Sequence, residues 1–146
     1  FDGHPVINSK VIVRNIENTR FPVPSEGDSD DFRDFPGLVR AADLIVIPVI
    51  PSPLSQRAMG EVARYLVQRG GAHAPILPVY SMVDRRRSLH RAALESQTGW
   101  PAIPMASTIE QMTVRRKPLG AFAPASPSAQ AFASLWTQVE RQLSGR

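Results

Sequence analysis

Cysteine is missing from all 146 residues, so disulfide frameworks, thiolate zinc sites and cysteine nucleophiles are excluded. Lysine is nearly as scarce: of the 17 basic residues only Lys10 and Lys117 are lysines, and the rest are arginines. Long apolar runs are also missing. The longest, Leu44 to Ile50, is interrupted by Pro48 and falls far short of the roughly 20 residues that a bilayer-spanning helix needs. The three histidines, His4, His73 and His90, are scattered without a ligand spacing such as HxxxH. They read as surface or loop residues rather than a zinc site or a nucleophile–base pair. No signal-peptide pattern opens the chain, which starts at Phe1 and reads as a fragment or a processed form.

What is present fits one soluble globular domain with a packed core: 42% hydrophobic residues, 21% charged, and a net charge of +4. Two parts differ in texture. Residues 1–40 read as a strand followed by a long loop. Val11-Ile12-Val13 is a β-branched run, Arg20-Phe21-Pro22-Val23-Pro24 cannot continue a helix, and Glu26 to Asp31 forms an acidic loop around Gly27. Residues 41–146 read as an α/β portion. Leu44 to Ile50 is apolar throughout, as in a strand covered on both faces, with Pro48 predicting an end or a bend near Ile47.

After Pro51-Ser52-Pro53 the residues Met59, Val62, Ala63 and Leu66 recur at helical spacing, and Gly70-Gly71 predicts the stop. Ile76 to Val83 reads as a second strand. Ser88 to Glu95 reads as a second helix with Leu89, Ala92 and Ala93 on one face. Pro101 to Met105 reads as a third short strand, and Ser107 with Glu110 as a capping box opening the next helix. Pro118 to Ser128 resembles a surface linker. The tail is an amphipathic helix with Phe132, Leu135, Trp136, Val139 and Leu143 on one face. Strands alternating with helices predict an α/β fold, a parallel sheet with flanking helices and right-handed crossovers.

The chemistry is narrowed mostly by what is missing. Neither lysine follows a glycine in a glycine-rich loop, so no P-loop is present and this chain alone is not expected to hydrolyse a nucleotide. Asp28, Asp30, Asp31 and Asp34 lack the glycine and terminal glutamate of a calcium loop, and read as a solvated acidic turn or a magnesium-associated one. No metal site is expected. The arginines are more informative. Arg85-Arg86-Arg87 with Arg91 sit directly after a strand, at the sheet edge where ligands bind in parallel α/β folds, and such arginines can pair with phosphate. Arg115-Arg116-Lys117 form a second patch at a helix end, where the helix dipole alone also favours them.

Four segments in order then resemble the ParA/MinD-type partition ATPases. Ala41 to Ser55 resembles the strand and turn after that family's switch II region. Ser81-Met82-Val83-Asp84-Arg85-Arg86 resembles a later strand end. Ile103-Pro104, Ile109-Glu110-Gln111-Met112 and Arg116-Lys117-Pro118-Leu119 resemble a third stretch. Phe122-Ala123-Pro124, Ser126, Ala131-Phe132 and Leu135-Trp136 resemble the closing helix of one subgroup. The resemblance implies an incomplete P-loop NTPase-like, deviant Walker fold seen as its C-terminal portion, with Asn15 or Arg14 near the magnesium-supporting aspartate of the Walker B strand.

It further implies a nucleotide site at Ser81, Met82, Asp84, Arg86, Ile103, Pro104 and Met105. DNA contacts would fall to Arg85, Arg87, Arg91, Arg115 and Arg116. ATP and magnesium are implied by the resemblance alone. The implied function is chromosome or plasmid partition: a cytoplasmic, nucleoid-associated homodimer on non-specific DNA, with a partition partner protein and no membrane. Two other expectations stand beside it. One is a degenerate, non-catalytic interaction or DNA-associated module. The other is a simple DNA-binding domain, whose affinity must fall steeply with salt.

Overall fold

The apolar run after Ala42 forms the inner part of a parallel sheet in a computed structural model, which describes the backbone of Val11–Val13 and residues 42–68 and 74–144. Four strands, β1 (Val11–Val13), β2 (Leu44–Val49), β3 (Ile76–Val83) and β4 (Ala102–Pro104), lie in the order β1-β2-β3-β4. All neighbours are parallel, with Val11 opposite Leu44, Ile45 opposite Ile76 and Tyr80 opposite Ala102. Among the described residues five helices accompany them: α1 (Pro53–Gln68), α2 (Ser88–Ser96), α3 (Ser107–Arg115), α4 (Leu119–Phe122) and α5 (Pro127–Ser144).

Alternation along the strands sends side chains to two different cores. Ile45, Ile47, Val49 and Tyr80 pack with Met59, Val62 and Leu66 of α1 and Ala93 of α2. Leu44, Val46, Leu77, Val79 and Ile103 pack instead with Val139 of α5, flanked by Ile109, Ala131, Leu135 and Leu143. Both faces of the sheet are therefore covered, which is why β2 is apolar without alternation. The α/β class and the parallel sheet with flanking helices agree with the sequence expectation.

Three prolines sit within these strands, and each is tolerated for one reason. Ile45 donates to Pro75 O (2.9 Å), so residues 45, 47 and 49 turn their backbone groups to β3 and residues 44, 46 and 48 turn theirs to β1. Pro48 thus faces β1 two residues beyond Val46, the last position that Val13 pairs. Its missing N–H removes no ladder bond to the described residues of β1, and β2 runs on to Val49 rather than ending near Ile47. Pro78 faces β4, which starts only opposite Tyr80. On β4, Pro101 O accepts from Tyr80 N (2.8 Å) and Met105 N donates to Val83 O (2.9 Å), so Pro104 turns its donorless nitrogen away from β3, to an edge that no described strand covers. That edge is blunted against further strand pairing.

β3 contains a bulge. Between the pairs Tyr80–Ala102 and Val83–Pro104 it advances three residues while β4 advances two. The extra residue is accommodated at Met82, whose φ is 55°, a left-handed conformation unfavourable for a side chain of this size. Strict alternation would put Val83 on the Val79 face, but the bulge moves it into the core under α1 and α2. Met82→Gly is expected to leave stability unchanged or raise it by up to about 1 kcal/mol, whereas Met82→Val should cost about 1–3 kcal/mol. Urea midpoints of the two variants test this. A glycine variant less stable than wild type by more than about 1 kcal/mol would remove the case for strain.

Helix boundaries follow cap chemistry. Ser52 Oγ accepts from Ser55 N (3.2 Å) at the start of α1, and Ser126 Oγ accepts from Ala129 N (3.1 Å) at the start of α5, each just before a proline in the first turn. Several local expectations are corrected. Ser107 and Glu110 form no capping box, because α3 is led by Ala106 without a side-chain cap bond. On α2 the buried residues are His90 and Ala93, while Leu89 and Ala92 are exposed. On α5 the inward stripe is Ser128, Ala131, Leu135, Val139 and Leu143, with Phe132 and Trp136 on its exposed shoulder. The expected linker carries helix α4, whose Leu119 is buried. Gly70-Gly71 and the acidic loop lie outside the described residues.

Candidate functional site

In a parallel sheet each following helix begins near the carboxyl ends of the strands, so the first turns of α1, α2 and α3 gather at one edge. The turn 84–87, between β3 and α2, is the most highly bonded segment there. Asp84 Oδ1 accepts from Arg86 N (3.0 Å) and Arg86 Nε (3.0 Å), and Oδ2 accepts from Arg86 Nη2 (3.2 Å). The hydrogen bonds from the Arg86 side chain, and then from its backbone N–H, hold the Asp84 carboxyl below the ordinary carboxylate range. Asp84 N donates to Nδ1 of the buried His90 (3.0 Å), so Nδ1 is the unprotonated ring nitrogen. Arg91 Nη1 donates to Arg85 O (3.0 Å) and Arg86 O (3.1 Å), and Arg87 N donates to Asp84 O (3.1 Å).

This network divides the first arginine patch. Arg86 is held by Asp84 and Arg91 by two carbonyl oxygens. Arg85 and Arg87 are exposed, and their side chains make no hydrogen bond or ion pair among the described residues. His90, expected at the surface or in a loop, is instead buried as part of the frame; His4 and His73 lie outside the described residues. Sequence reasoning passed over Asp84 as a structural residue. An aspartate two positions before an arginine in a strand-to-helix turn is a readable signal, since such side chains cap the backbone two residues on.

The second patch differs. Arg115 Nε donates to Gln111 Oε1 (3.3 Å), and its guanidinium carbon lies 5.0 Å from the Phe122 ring centre. Arg116 ends α3 in the left-handed conformation (φ 49°), and Lys117 N closes the turn on Met112 O (3.3 Å). Arg115 and Arg116 are therefore explained in part by ending a helix.

The residues expected near an adenine do not all line an open site. Ile103 belongs to the core beneath α5. Met82 and Met105 are half-exposed, at the carboxyl ends of adjacent strands, and Ser81 and Pro104 are partly buried beside them. The strand order runs in one direction, so the described part of the sheet has no point where the order reverses and opens a crevice. A shallow open groove of about 270 Å³ lies instead between the start of α1 and α2, lined by Pro51, Ser52, Gln56, Leu89, Ala92 and Ser96 among others. Nearby, Tyr80 Oη accepts from Gln56 Nε2 (3.2 Å) and donates to Ala93 O (3.3 Å), linking the two helices.

Among the described residues no group of three or more acidic or histidine side chains is placed to hold a metal ion. Asp28, Asp30, Asp31 and Asp34, and Arg14 and Asn15 after β1, lie outside the described residues. No helix of the described residues is long and apolar enough to cross a membrane.

Comparison with known proteins replaces one expectation. Residues 1–51 match the model of the Npun_R2479-like family, a match that spans β1 and β2. No curated protein matches the chain. The ParA/MinD-type resemblance is thereby corrected. Its four segments lie from Ala41 onward, and much of what they share with that family is the grammar of a parallel sheet: an apolar strand, a proline-rich turn, a polar strand end and an amphipathic closing helix.

Proposed function

We propose that this chain is a non-catalytic α/β module that holds nucleic acid through its phosphate backbone, without reading its sequence. The observation that carries the reading is the pair of exposed arginines, Arg85 and Arg87, whose side chains have no partner among the described residues at the carboxyl edge of the sheet. Arginine matches phosphate oxygens with a planar fork of donors, and a net charge of +4 assists long-range attraction. The lack of a glycine–lysine loop argues against nucleotide hydrolysis by this chain alone. A cytoplasmic, nucleoid-associated place, a homodimer and a protein partner accord with this reading and are part of the proposal.

The test is fluorescence anisotropy with a labelled DNA duplex over a salt series. Two phosphate contacts give a slope of about −2 in log K against log salt, roughly a tenfold loss between about 50 and 200 mM. Arg85→Glu with Arg87→Glu is expected to abolish measurable binding while leaving thermal unfolding within a few degrees of wild type. A flat salt response, or full binding by the double variant, overturns the proposal.

A second reading is favoured by one observation, the half-exposed Met82 and Met105 at adjacent strand ends. They offer an apolar seat for a base, in an incomplete P-loop NTPase-like sheet that binds a nucleotide without cleaving it. Micromolar binding of a labelled ATP analogue supports that reading, and its absence removes it.

A further inference from the structure

The four arginines of the 85–91 segment divide into two kinds by what their donors already hold. Arg91 is exposed, and one of its three guanidinium nitrogens, Nη1, is held by Arg85 O (3.0 Å) and Arg86 O (3.1 Å), the carbonyl oxygens of the turn that carries Arg85 and Arg87. Its backbone N–H also donates to Arg87 O (3.2 Å), so Arg91 is tied to three successive residues. Asp84 closes the same turn from the other side, through Arg86 N and the Arg86 side chain. The buried His90 then anchors Asp84 N to the core.

We infer that Arg91 is a positioning residue: with Asp84 and His90 it frames the 84–87 turn as a prefolded phosphate clamp, in which only Arg85 and Arg87 touch the nucleic acid. The inference rests on the proposed backbone-binding function and deepens it by assigning different work to residues of like charge. The physical reason is preorganisation. A backbone already fixed in its bound shape loses less freedom when a phosphate is gripped, so removing the frame lowers affinity without removing a contact. A residue that itself neutralises a phosphate does something else: it releases a counterion, and its loss reduces the salt slope by about one.

Salt titration therefore separates the two roles. In the full chain, with the labelled duplex, Arg85→Gln is expected to weaken binding and flatten the slope by about one. Arg91→Gln removes the same formal charge, but is expected to weaken binding about threefold to tenfold at every salt concentration with the slope unchanged. Arg91→Lys keeps the charge, can bond only part of the carbonyl pair, and should fall between Arg91→Gln and wild type. Amide hydrogen exchange of Arg86 and Arg87 in the free protein supplies a readout that needs no ligand, and Arg91→Gln should accelerate it while distant β2 amides stay protected.

A slope that falls by about one in Arg91→Gln makes Arg91 a phosphate contact and overturns the inference. So does unchanged affinity, or unchanged exchange in the turn. If wild type binds no duplex at all, the backbone-binding function fails by itself, and the exchange experiment still decides whether Arg91 frames the turn.

Discussion

Tyr80→Ala is expected to lower the unfolding free energy by about 3–5 kcal/mol. Tyr80 is fully buried on β3, one of the two inner strands of the described sheet, within the core under α1 and α2. Its ring lies 5.0 Å from that of Trp100, centre to centre, and its hydroxyl links Gln56 of α1 to Ala93 O of α2. Alanine would leave a cavity beneath both helices and remove their shared polar anchor. Tyr80→Phe keeps the ring and is expected to cost only about 0.5–2 kcal/mol, because Gln56 can turn to water and Ala93 O still accepts from Gln97 N and Ser96 Oγ. Urea unfolding of the two variants measures both, and an alanine variant within about 1 kcal/mol of wild type would mean that the site collapses freely.

The same tyrosine adds a pH signature. Burial raises the Tyr80 pKa above its ordinary value of 10.0, against a smaller lowering by Gln56. The folded state therefore keeps a proton that the unfolded state gives up. This contribution is fully present below the unfolded pKa and is lost as pH rises from there through the folded value. Tyr80→Phe should remove that part of the alkaline decline. If the stability curves of wild type and Tyr80→Phe stay parallel above pH 10, the hydroxyl is not protected in the fold.

Leu44→Ala, on the opposite face, is expected to cost about 2–5 kcal/mol. Leu44 is wholly buried at the start of β2, and its cluster includes Val46, Leu77, Val79 and Ile103 beneath Val139 of α5. The void would lie between sheet and helix, where the backbone ladder on both sides of β2 resists closing it. Val114→Ala provides the contrast. Val114 is 84% exposed, and its truncation should change stability by no more than about 0.5 kcal/mol. Equal losses at the two positions, measured by denaturant midpoint, would contradict the assignment of Leu44 to a core.

The boundaries of β3 and the existence of α1, α2, α3 and α5 were legible because they follow local rules, whereas α4 was read as a linker. Ile76 to Val83 is apolar apart from Ser81, and α1 and α5 repeat their apolar residues at helical spacing. The capping serines Ser52 and Ser126, each before a proline, are equally readable. The arginine patch was visible too, but not its division. Which donors are spent depends on Asp84 Oδ1 and Oδ2 and on the carbonyls of Arg85 and Arg86, whose positions follow from the turn and not from residue spacing.

The sequence by itself determined the alternation of strands and helices, the two-sided burial of β2, the absence of cysteine chemistry and of a P-loop, and the concentration of positive charge on arginine. Tertiary structure decided which side of each strand a proline faces, the bulge at Met82 that carries Val83 to the other face, the burial of His90, and the separation of Arg86 and Arg91 from Arg85 and Arg87. The first set depends on periodicity and composition within a few residues. The second depends on where neighbouring strands begin and end and which backbone groups remain to be bonded, and those are known only once the chain has been brought together.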